Sequence, residues 1–102
     1  MPKRKDPLVE VLKKLSVDYK IEDNESWGYV KLEDNISLDE FTQALKTVCK
    51  KGIWSSPPSI AGEPAPAIER GCNKNGVDFG AVFQNINGNY VTNSIWYKRN
   101  TG

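Results

Sequence analysis

One hundred and two residues, 38% of them hydrophobic and 26% charged, suffice for one domain with its own core and lie outside the composition of disordered chains. A net charge of +1 argues against a dedicated polyanion binder, and the lack of histidine excludes Ser-His-Asp and Cys-His triads within the chain. No apolar run reaches 18 residues, so no membrane association is expected, and the lack of a charged-then-apolar leader predicts a cytoplasmic protein.

The near-neutral total hides a segregation. Residues 1–17 carry five basic and two acidic side chains, residues 18–40 two and eight, and residues 41–102 seven and three. The acidic middle is therefore flanked by basic segments, and the fold decides whether these become separate surfaces.

In chain order, residues 1–5 form a basic tail expected to be disordered, and residues 6–102 a single domain. Asp6-Pro7 opens a helix, with Asp6 as N-cap and Pro7 at the first helical position, where a missing N–H costs nothing. Leu8, Val11, Leu12 and Leu15 follow at helical spacing, and the helix should stop near Ser16. Val17, Tyr19 and Ile21 then alternate with polar residues. After Asp23-Asn24-Glu25-Ser26 the chain resumes as Trp27-Gly28-Tyr29-Val30-Lys31-Leu32. A four-residue loop would pair Ile21 with Gly28 and Tyr19 with Val30, and on the opposite face would set Glu22 beside Trp27 and Lys20 beside Tyr29.

Ser37-Leu38-Asp39-Glu40 is a capping box, and Leu38, Phe41, Leu45 and Val48 make the apolar stripe of a helix predicted to reach Lys51 before Gly52. Residues 53–75 have no sustained period and carry four prolines, so they read as a long Pro-rich loop with at most one helical turn from Pro66 to Arg70. Cys49 and Cys72 lack metal or disulfide-framework spacing and read as free thiols.

Gly76 to Arg99 is the strongest strand signal. Val77, Phe79, Ala81 and Phe83 alternate with more polar residues, Asn87-Gly88 supplies turn chemistry, and Val91, Ile95 and Tyr97 resume the pattern. A two-residue loop would separate the phenylalanines from Val91, Ile95 and Tyr97. A three-residue loop over Ile86-Asn87-Gly88, pairing Phe83 with Val91 and Phe79 with Ile95, makes one apolar face and is the register expected. The order is α-β-β-α-long loop-β-β. It implies an α+β fold in which the two hairpins form one antiparallel sheet with both helices packed on one face.

Little in the chain suggests catalysis. Walker, dinucleotide and calcium-loop patterns are absent, Asp39-Glu40 is explained by the capping box, and a loop-borne Cys72 is a poor nucleophile. No enzyme activity, cofactor or metal is expected. Two binding functions remain. The first is a protein-interaction module of the inhibitor or adaptor type, docking through an acidic aromatic hairpin (Glu22, Asp23, Glu25, Trp27, Tyr29) and Trp54 of the Pro-rich loop, because Trp and Tyr dominate interface energetics and acidic rims orient partners. The alternative is a single-stranded nucleic-acid binder. It would use Lys3, Arg4, Lys5, Lys50, Lys51, Lys98 and Arg99, with Tyr90 and Trp96 exposed on the outer strand face as stacking platforms. A plainer role for Trp96 is to cover a small residue such as Gly80 or Ser94 on the strand surface.

Overall fold

The computed structural model describes residues 6–24, 26–56 and 66–99. Asp6 accepts a hydrogen bond from the Leu8 amide (3.0 Å) and starts α1 (Pro7–Leu15), which ends at Ser16 in the left-handed conformation. The capping box closes in both directions: the Glu40 amide donates to Ser37 Oγ (3.1 Å) and the Ser37 amide to Glu40 Oε1 (3.2 Å). It starts α2 (Leu38–Val48). That helix is shorter than its sequence suggests, because Lys50 takes a positive φ of 54° two residues before Gly52 does. The Val48 carbonyl is capped by Lys74 Nζ (2.5 Å) instead of by another turn of helix.

The remaining elements, β1 (Tyr19–Asn24), β2 (Trp27–Ser37), β3 (Ile53–Ser55), β4 (Ala67–Lys74), β5 (Val77–Ile86) and β6 (Asn89–Arg99), form one antiparallel sheet in the order β1-β2-β6-β5-β4-β3. Two helices and a six-stranded sheet make an α+β fold. The stretch expected to be a loop thus contains two strands, and Pro66 to Arg70 leads into β4 rather than a helical turn. β4 lacks an apolar rhythm because two of its inward side chains are cations. Arg70 Nη1 donates to Thr42 Oγ1 (2.8 Å) and Lys74 reaches the end of α2. Pro57, Pro58 and Pro64 lie outside the described residues.

Both hairpins close differently from expectation. Asn87 and Gly88 both have positive φ (52° and 88°) and make a two-residue turn with Ile86 opposite Asn89. Between the Gln84–Val91 and Gly80–Trp96 pairs, β6 holds one residue more than β5. This bulge turns Ile95 and Tyr97 onto the face of Phe79, so the single apolar face that argued for a longer loop is achieved inside the strands. In the first hairpin, Asn24 pairs with Trp27, Ile21 with Val30 and Tyr19 with Leu32. The shift from the expected register is two residues, so each side chain keeps its face and changes its neighbour: Glu22 stands opposite Tyr29, and Lys20 opposite Lys31.

One face of the sheet, including Val30, Phe79, Ala81, Phe83, Ile95 and Tyr97, forms a single buried cluster with the apolar stripes of α1 and α2. The Phe41 and Phe83 rings are 5.3 Å apart within it. Cys49 and Cys72 form a disulfide in this cluster, which corrects their reading as free thiols and removes Cys72 as a nucleophile. The chain brings them together because Cys49 caps α2 while Cys72 points inward from β4 below it. No described helix is long and apolar enough to cross a membrane.

Candidate binding surface on the open face of the sheet

Residues paired across antiparallel strands share a face, so the register defines the other side of the sheet. One transverse row takes a residue from each strand: Glu22, Tyr29, Trp96, Gly80, Gly71 and Trp54. Three of the six are aromatic and two are glycines lying between Trp96 and Trp54. The glycines are what let the indoles meet. The rings of Trp54 and Trp96 stack with centroids 5.7 Å apart and planes at 25°. A Cβ on Gly71 would come 2.5 Å from Trp54 Cζ2, and one on Gly80 2.9 Å from Trp54 Cη2. Trp96 Nε1 donates to Glu69 Oε2 (3.1 Å), satisfying the polar atom of a half-buried indole.

Beside this covered pair lies a more open one. Trp27 and Tyr29 contact edge to face at 6.1 Å, and each is 46% exposed. Trp27 and Trp54 share the face but stand four strand spacings apart, about 19 Å, with Trp96 between them. The charges are mixed, with a small acidic excess: Lys20, Lys31 and Lys98 accompany Glu22, Glu33, Glu69 and Asp78. Asp78 Oδ1 is buried and has no hydrogen-bond partner among the described residues.

Of the residues predicted for protein docking, Trp27, Tyr29, Glu22 and Trp54 are therefore on one face, with Trp54 on a strand and not on a loop. Asp23 contributes backbone opposite Gly28, while its side chain and Glu25 lie outside the described residues. The set predicted for nucleic acid is divided. Trp96 and Lys98 are on the open face. Tyr90, expected there, is half-buried and packs against the core, because the bulge in β6 places it on the opposite side from Trp96. Arg99 also points to the helix side, with its guanidinium 4.7 Å over the Tyr97 ring and Nη2 2.5 Å from Asp6 Oδ2. Lys50 and Lys51 follow the end of α2, and Lys50 lines a cleft with Lys13, Lys14 and Lys74. Lys3, Arg4 and Lys5 lie outside the described residues.

In the sequence, Trp96 and Trp54 fall into different candidate sites, and Gly71 belongs to neither. The one available signal was a small residue opposite a tryptophan, and Gly80 does occupy that position. Among the described residues, no group of three His, Cys, Asp or Glu side chains could hold a metal ion. The chain matches no family model, no curated protein and no solved structure.

Proposed function

We propose that this domain is a non-enzymatic interaction module that docks on another protein, as an inhibitor or adaptor does, through the open face of its sheet. The observation that carries the reading is the exposed Trp27–Tyr29 pair continuous with the Trp54–Trp96 stack, an aromatic band of the kind that supplies interface hot spots. The mixed charge of that face, with acids outnumbering lysines, favours a protein partner over a polyphosphate backbone, which would meet at least as much repulsion as attraction there. The division of the cations between two sides of the molecule weighs in the same direction.

The Cys49–Cys72 disulfide bears on where the domain works. Such bonds persist in oxidising compartments and are rare in the cytosol, so it weighs against the cytoplasmic expectation. Trapping the thiols during lysis of the native host would decide the compartment's redox state. The binding test is a pull-down from that host with the intact domain, Trp27→Ala and Tyr29→Ala, with and without nuclease. The reading expects a protein that survives nuclease and is lost from both variants, with affinity reduced by about 2 kcal/mol and stability little changed. Loss on nuclease treatment, or equal capture by all three proteins, would overturn it.

A further inference from the structure

The sheet ends at β1, which pairs with β2 along one side and with no described strand along the other. An outer strand offers unpaired N–H and C=O groups to any chain that can match it. This one also offers apolar surface: Tyr19 and Ile21, on the same face as Leu32 and Val30, are each 41% exposed. Between and beyond them, Lys20 and Glu22 point to the open face with opposite charges on either side of Ile21.

We propose that β1 pairs antiparallel with β1 of a second copy, making a twofold dimer with one sheet running through both. Strand length and charge together select the register: centring on Tyr19 would also set Lys20 opposite an acid, Asp18, but Asp18 lies outside β1 and almost no strand would be paired. The outward backbone groups recur at every second residue, so an antiparallel self-pair must be centred on a single residue opposite its own copy. Centring on Lys20 sets the two lysines face to face, and centring on Glu22 does the same for the two glutamates. Centring on Ile21 places each Lys20 opposite Glu22 of the second copy, twice by symmetry, and brings the two Ile21 side chains together. The core strip of each copy then continues into the other, covering apolar surface that the monomer leaves exposed. The contact is a short one, so the dimer is a reversible association that depends on concentration. It does not rest on the protein-docking reading above.

Charge reversal tests this with opposite signs inside and between chains. Within the chain Lys20 stands opposite Lys31, so Lys20→Glu relieves a like-charge pair and leaves the folded monomer sound. Between chains it opposes glutamates. Sedimentation equilibrium of the full chain should show a monomer–dimer equilibrium for the native protein. Lys20→Glu and Glu22→Lys should each weaken it at least tenfold, with urea midpoints unchanged or raised for Lys20→Glu. Dimer should return in the double variant K20E/E22K, which exchanges the two charges and so restores both cross-chain pairs. It should return as well in an equimolar mixture of the two single variants, where a copy carrying only acids at these two positions faces a copy carrying only lysines. A native protein that stays monomeric at millimolar concentration, or a dimer that tolerates both single reversals, overturns the proposal. So does a dimer lost in Trp27→Ala but kept in K20E, since that would place the contact on the open face.

Discussion

Removing the disulfide should weaken the fold by a predictable amount. Cys49 and Cys72 are 23 residues apart, and the loop-closure relation assigns a cross-link of that span about 3 kcal/mol, acting by restricting the unfolded chain. A domain of this size loses on the order of 1.5 kcal/mol of stability per molar urea, so the midpoint of urea unfolding should fall by about 2 M on reduction. The double variant Cys49→Ala/Cys72→Ala should fall at least as far, because both sulfurs are buried in the core. Equilibrium urea titrations, with and without reductant and followed by tryptophan fluorescence, provide the measurement. Two findings would refute the reasoning: coincident curves for oxidised and reduced protein, or two titratable thiols in the native protein under non-reducing conditions.

Three further outcomes are expected. Ser37→Ala removes the acceptor for the Glu40 amide and should cost about 1 kcal/mol by thermal or urea denaturation; no loss would mean that the capping box contributes nothing to α2. Phe79→Ala empties a fully buried position opposite Tyr97 and should cost about 3–5 kcal/mol, whereas a loss below about 1 kcal/mol would contradict its place in the core. Gly71→Ala drives a methyl group toward the Phe79 carbonyl and Trp54 and should cost about 1–3 kcal/mol while changing the near-ultraviolet dichroism of the stacked indoles. An unchanged spectrum and stability would show that the glycine floor is not needed.

Where the chain states a local rule, the structure follows it. Asp6-Pro7 and the Ser37–Glu40 box start α1 and α2 because capping needs only side chains a few residues apart. The alternation of β1, β2, β5 and β6 likewise marks them as strands. β4 was hidden because Arg70 and Lys74 occupy inward positions and find their partners on α2, a relation between residues 28 and 26 positions apart that no short window contains. The β6 bulge was hidden for a similar reason. Turn chemistry at Asn87-Gly88 and the demand for one apolar face gave conflicting registers, and the conflict is resolved by an extra residue inside the strand rather than at the turn. The candidate surface shows the same limit. Trp27 and Tyr29 could be grouped from their alternation, but the meeting of Trp54 with Trp96 depends on β4 lying between β3 and β5 and on glycines at two facing positions.

The position of β6 sets an order on events during synthesis. It is the final strand to emerge from the ribosome among the described elements, yet it lies between β2 and β5, near the middle of the sheet. Until β6 is available, the β1-β2 pair and the β3-β4-β5 set have no strand to join them. Each presents a raw edge, at β2 and at β5, and each leaves part of its apolar face unsheltered. Closure of the sheet therefore waits on the last of the described strands. The hairpin turn at Asn87-Gly88, by delivering β6 directly onto β5, shortens the interval in which those two edges could instead capture strands of a neighbouring chain.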